Sequence, residues 1–285
     1  MVFEHIDSLT LPGDPAKPND DALAHEGSSA VVMDGATGLG EPLLEGRSDA
    51  AWVAHFGAER LIAHMRAGCG SEMALRESLH ETEKEFVKLR RREPKETYEI
   101  PFASMMFVSL EDGRMHASWF GDCAALVLRP GEGIQVLGDA LTKRAKERER
   151  VAWLAASFGA TSAEKGVREV FLPALRRARN FVNSDAGGWL FGPDAHAADH
   201  ASGTSVAAPP DTIVLLVTDG FLALSSDYDR YGPGALLAAA QSRGLGALGA
   251  ELRALEESDP DGRRFPRFKK SDDATAMLLR VSDER

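Results

Sequence analysis

Cysteine is scarce in this chain. Its 285 residues include two, Cys69 and Cys123, too few for a disulfide framework and without the Cys-x-x-Cys spacing that zinc or dithiol chemistry uses. Both read as small buried apolar residues. Long hydrophobic runs are missing too: no segment approaches the ~18 apolar residues of a membrane span, and the start, Met1-Val2-Phe3-Glu4-His5-Ile6-Asp7, has no basic head followed by an apolar stretch. A cytoplasmic location is the expectation. Positive charge is in deficit, with 33 basic against 44 acidic residues and a net charge of −11, which argues against nucleic acid or an anionic membrane as the main partner. No Gly-x-Ser-x-Gly occurs, so a serine nucleophile on a strand-to-helix elbow is not expected. The eight histidines read as surface or core residues.

What the chain does have is a set of aspartates placed where apolar runs stop. Ala30-Val31-Val32-Met33 ends at Asp34-Gly35, and Ile213-Val214-Leu215-Leu216-Val217-Thr218 ends at Asp219-Gly220. Asp272-Asp273 stands just before a third apolar run, Asn19-Asp20-Asp21 before a fourth, and Gly121-Asp122 between two more. A run of four to six apolar residues bounded by turn-formers is a buried strand rather than a helix. Each aspartate is therefore expected at a strand end, at the edge of the core, with Gly35 permitting a sharp turn.

The pattern along the rest of the chain is of alternating strands and helix pairs. Residues 2–9 read as an edge strand, and 22–24 and 29–33 as a hairpin. A helix capped by Ser48 runs to Gly68, and a second begins at Ser71 with Leu75, Leu79, Phe86 and Leu89 on one face; the short link makes the two antiparallel. Stretches 103–110, 115–120, 124–128 and 134–137 predict an antiparallel meander. Helices are expected near 142–157 and 163–181, an irregular connection over 183–211, a strand at 212–218, helices near 233–242 and 246–257, and a closing strand at 274–281. The fold class is α+β, a central antiparallel β-sandwich flanked by helix pairs, as one domain over residues 1–285. A 44% hydrophobic content is enough for its core.

Asp20, Asp21, Asp34, Asp122, Asp219, Asp272 and Asp273 gathered at one rim would repel one another unless cations sat among them. Oxygen-only ligands suit magnesium or manganese rather than zinc. Two such ions can activate a shared water and clamp a phosphate during in-line attack. An aspartyl-phosphate route is disfavoured, because Val32 stands where a nucleophile's acid partner would be. Turn formation alone is the plain alternative for any single aspartate, but not for so many together.

Asn19-Asp20-Asp21, Val32-Met33-Asp34-Gly35-Ala36-Thr37-Gly38, Phe120-Gly121-Asp122-Cys123-Ala124-Ala125, Leu216-Val217-Thr218-Asp219-Gly220 and Ser271-Asp272-Asp273-Ala274-Thr275, in that order, resemble the type 2C (PPM) metal-dependent protein phosphatases. The resemblance implies a β-sandwich between helix pairs, and hydrolysis of phosphoserine and phosphothreonine in phosphoproteins by a hydroxide bridging two Mg2+ or Mn2+ ions. It implies that Asp34 bridges both ions, that Gly35 lends a carbonyl, and that Asp219 and Asp272 complete one ion's shell. Asp20 would hold a metal-bound water, Asp21 is the metal-site aspartate that follows it, and Asp122 would belong to a third, weak or absent ion. Several positions depart from the family. Ala16 stands where an arginine grips the phosphate, leaving Lys17 as the phosphate-binding candidate. Asp20 replaces Glu, Asp273 replaces Asn, Ala223 replaces a third-ion carboxylate, and Ala36 replaces a histidine. These departures motivate the alternative of a catalytically weak, phosphatase-like binding or scaffolding domain; the retained Asp34, Asp219 and Asp272 favour the enzyme. The basic stretch 263–270 reads as a docking surface for an acidic phosphoprotein or simply as a solvated loop, and 143–150 as an exposed helix face rather than a binding patch.

Overall fold

Strands that are apolar on both faces require cover on both sides, and this sequence builds four layers. The computed structural model describes residues 1–46, 48–143, 167–265, 267 and 269–283. One antiparallel sheet has the order β1 (Val2–Leu11), β10 (Ala274–Ser282), β9 (Ile213–Val217), β6 (Ala124–Leu128) and β7 (Ile134–Leu137). The other runs β2 (Asp21–Glu26), β3 (Ser29–Gly35), β4 (Ala103–Glu111), β5 (Arg114–Phe120) and β8 (Ser202–Ala207). In β9, Val214 and Leu216 pack between the sheets, while Ile213, Leu215 and Val217 face the outer helices. In β4, Met106 and Val108 point inward, and Met105 and Phe107 outward. The period of two thus serves two cores at once.

Helices α1 (Asp49–Arg66) and α2 (Ser71–Leu89) cover the second sheet through Val53, Ala54, Leu61, Leu75 and Leu79. Helices α4 (Asp219–Ser226), α5 (Pro233–Arg243) and α6 (Leu245–Ser258) cover the first, through Leu222, Leu236, Leu248 and Leu252. A further helix, α3 (Val167–Arg179), lies between β7 and β8 in the chain. Ser48 caps α1 as expected, its hydroxyl accepting from the Ala51 N–H at 3.3 Å. α2 has no side-chain cap of its own; the Ser71 N–H is taken by the Glu111 carboxylate at 3.1 Å.

Three expectations need correction. The meander over 103–137 is divided between the sheets: β4 and β5 belong to one, β6 and β7 to the other, and Gly121-Asp122 is the crossing. The connection over 183–211 is not wholly irregular, since it contains β8, whose polar Ser202-Gly203-Thr204-Ser205 gave no apolar signal. Asp219-Gly220 is not a plain turn but the first residues of α4, hydrophobic through Phe221, Leu222 and Leu224. Most of the helix expected near 142–157, the start of the one near 163–181, and the basic stretch beyond Lys143 fall outside the described residues. Among the described residues, no helix is long and apolar enough to cross a membrane.

Candidate active site

The antiparallel register brings the ends of several strands to one rim. Asp21 at the start of β2 lies opposite Asp34 at the end of β3, and Asp34 lies opposite Ser104 in β4. Asp122 follows the end of β5 at the same rim, and the Ser104 hydroxyl donates to it at 2.6 Å. From the other sheet, β9 ends at the same place, so that Asp219 enters at the first turn of α4. Carboxylate oxygens of Asp34, Asp122 and Asp219 all lie within 4.8 Å of one another. The two sheets are tied here by Thr218, whose hydroxyl donates to Asp21 at 2.8 Å and whose N–H donates to the Thr275 carbonyl at 3.0 Å.

Two glycines are needed for close packing rather than for a turn. A Cβ on Gly35 would come 2.5 Å from the Ala50 carbonyl oxygen and 2.7 Å from that of Asp20. One on Gly220 would come 1.9 Å from the Asp273 carbonyl oxygen. Gly35 is thus pressed between the β2 entry and α1, which corrects the expectation of a glycine-only backbone turn. Asp273 also acts on the backbone. Its Oδ1 accepts from the Gly13 N–H and its Oδ2 from the Asp20 N–H, each at 2.7 Å. An aspartate here satisfies two donors where an asparagine has one oxygen to offer.

Burial, and then the neighbouring carboxylates of Asp219, Asp21, Asp272 and Asp122, hold the Asp34 carboxyl well above the usual carboxylate range. Asp21 is raised in the same way by burial first and by Asp272 and Asp219, against the hydroxyls of Thr218 and Thr275. Burial also raises Asp20, with Asp273 adding to it and Ser48 opposing. The Cys123 thiol is pushed up by burial and by the same acids, so it stays protonated and is no nucleophile. Asp21 is only 2% exposed, and its Oδ1 accepts no hydrogen bond among the described residues. A buried oxygen without a donor, beside three converging carboxylates, is the environment a hard cation and its water would satisfy. The residues fit magnesium or manganese.

No family model matches the sequence, and no curated protein does. Solved structures match along nearly the whole chain. The serine/threonine phosphatase PstP/Ppp of Mycobacterium tuberculosis is 13% identical, with a TM-score of 0.57 over 99% of this chain and 100% of that one. The catalytic domain of PstP with two manganese ions is 15% identical, with a TM-score of 0.55 over 99% of each. The PPM Ser-Thr phosphatase MsPP of Mycobacterium smegmatis gives the same 15% and 0.55 over 99% of each chain. The fold is that of the PPM phosphatases.

On a PPM fold the departures at the rim take physical form. Lys17 lies on a cleft of about 960 Å³ that also includes Asp20, Thr37, Ser48, Lys269, Asp272 and Asp273. Its ammonium is 3.3 Å from Asp14, with 74% of the side chain exposed. Asp272 is engaged by Lys269, whose Nζ lies 2.5 Å from Oδ1. Ala223 is buried in the apolar cluster beneath the first sheet, where a carboxylate would be costly. The basic stretch 263–270 is not simply a solvated loop, since Arg267 is turned inward onto Asp259 at 2.9 Å. Sequence patterns also missed two arginines. Arg179 of α3 donates to the Thr37 carbonyl at 2.8 Å, and Arg176 to that of Leu39 at 2.8 Å, fixing the loop that leaves Asp34-Gly35. Contacts spanning some 140 residues leave no local signal.

Proposed function

We propose that this chain removes phosphate from phosphoserine and phosphothreonine in proteins, using two hard divalent cations, Mg2+ or Mn2+. Asp34, Asp219 and Asp272 would hold them, with the Gly35 carbonyl, Asp20 and Asp21 contributing directly or through water; Asp122 would serve a third, weaker ion. Bound ions of this kind lower the pKa of water and neutralise charge on a phosphoryl group. The observation that carries the reading is the convergence of the Asp34, Asp122 and Asp219 carboxylates within 4.8 Å at the rim of this fold.

The chain's own residues then have distinct tasks. Thr218 holds one oxygen of Asp21, leaving the other to orient a water. Ser104 fixes the Asp122 carboxylate, and Asp273 fixes the backbone at Asp20. Ala36 cannot move a proton, which leaves protonation of the leaving alkoxide to water. Positive charge for the substrate phosphate comes from the cleft, which Lys17, Arg253, Lys269 and Lys270 line. Hydrolysis of p-nitrophenyl phosphate and of a phosphothreonine peptide, with manganese and with a chelator, tests the proposal. Turnover with manganese that the chelator removes is expected; no turnover with either ion would leave a binding domain instead.

A further inference from the structure

We propose that Lys269, not Lys17, is the cation that grips the substrate phosphate in place of the arginine absent at position 16. The proposal rests on the phosphatase reading of the same site. The cleft's cations are Lys17, Arg253, Lys269 and Lys270. Arg253 is engaged by the carbonyls of Leu11, Pro12 and Asp272 and by Glu256, and Lys270 is exposed and makes no ion pair with a rim carboxylate among the described residues. Lys17 extends into solvent toward Asp14. Lys269 points the other way, onto Asp272 at 2.5 Å. Its ammonium faces the carboxylate rim with 51% of the side chain exposed, so it is also open to a ligand in the cleft. An ammonium has three donors. It can keep Asp272 and still offer a hydrogen to a phosphate oxygen at the same mouth.

The segment leading to it is anchored at its described residues. The Asp259 carboxylate accepts from the N–H groups of Arg263, Arg264 and Phe265 at 2.9, 3.2 and 3.0 Å and from Arg267 Nη1 at 2.9 Å. Arg267 Nε in turn donates to the Lys270 carbonyl at 2.9 Å.

The test uses the full chain and three variants, Lys269→Met, Lys269→Arg and Lys17→Ala. Inorganic phosphate is titrated calorimetrically into manganese-saturated protein, manganese affinity is measured on the same variants, and KM and kcat are read with a phosphothreonine peptide. Lys269→Met is expected to weaken phosphate binding and raise KM by about tenfold, the size of one lost charge-assisted contact, with kcat within about twofold. Lys269→Arg should recover most of this, and Lys17→Ala should change either quantity by less than about twofold. Unchanged phosphate affinity in Lys269→Met overturns the proposal, as does a larger effect from Lys17→Ala. Tighter manganese with unaltered phosphate binding would reduce Lys269 to a counter-ion of Asp272 and overturn it equally. If the wild-type chain hydrolyses nothing, the phosphatase reading fails, while the phosphate titration still decides whether Lys269 holds the anion.

Discussion

Asp34 sits between Asp21 and Ser104 in register and beside Asp122 and Asp219, so its truncation has two opposite effects. Asp34→Ala removes the central oxygen ligand and should lower manganese-dependent turnover by at least about a thousandfold. It also removes a charge from a crowded site, so the chelated variant should unfold at a temperature equal to or above that of chelated wild type, measured by circular dichroism. A large loss of melting temperature would mean that Asp34 holds the fold rather than an ion. Asp273 should behave in the contrary way. Asp273→Asn turns an amide donor toward the N–H of Gly13 or Asp20, and should cost about 1–2 kcal/mol in urea unfolding. At this scale the acids were legible because each interrupts an apolar run. Ser104 and Lys269 were not, because neither type of residue is unusual until its neighbour is known.

At the scale of elements, α3 touches the site through Arg176 and Arg179, which hold carbonyls of the 36–39 loop. Arg179→Ala should leave the far-ultraviolet spectrum unchanged while weakening manganese binding several-fold by titration, since a loosened loop must be ordered when the ion binds. An unchanged affinity would make the arginine a packing residue only. Strands and helices with strong apolar periodicity were readable in advance, including the edge position of β1 and the pairing of β2 with β3. The elements that escaped have physical reasons. β8 is polar and mostly exposed, and α4 begins on the Asp-Gly that elsewhere makes a turn. The jump between sheets at Gly121-Asp122 depends on which strands lie opposite, and no local pattern encodes that.

For the whole molecule, the buried acids set a pH dependence. Asp20, Asp21 and Asp34 have raised pKa values in the folded state, so the folded chain holds these protons more tightly than the unfolded one. Their contribution to stability is present at low pH and is lost as pH rises through the folded-state values, above the ordinary carboxylate range. Glu251 runs the other way: hydrogen bonds from Arg230, Tyr231 and Arg243 lower it to about 2. Its contribution is present above the unfolded value near 4.5 and fades as pH falls toward about 2. Asp259 is lowered too, by the Arg264 and Phe265 N–H groups and Arg267 against the effect of burial. The chelated protein should therefore gain melting temperature from pH 8 down to about pH 5 and lose it below about pH 4. Manganese should flatten the upper limb. A chelated protein whose stability rises steadily toward pH 8 would show that the rim acids are not buried as described.

The carboxylates at the rim do not come from one sheet. Asp21, Asp34 and Asp122 belong to the β2–β5 side, and Asp219 and Asp272 flank the strands of the other. Like charges on two facing edges press the sandwich open, and the Thr218 contacts to Asp21 and Thr275 act as a latch against that pressure. A cation shared across the gap would reverse the sign of the force and draw the edges shut. Amide hydrogens at the strand ends, around residues 33–35 and 217–219, should then exchange markedly more slowly with manganese than with chelator, while those in the middle of β4 keep the same rate.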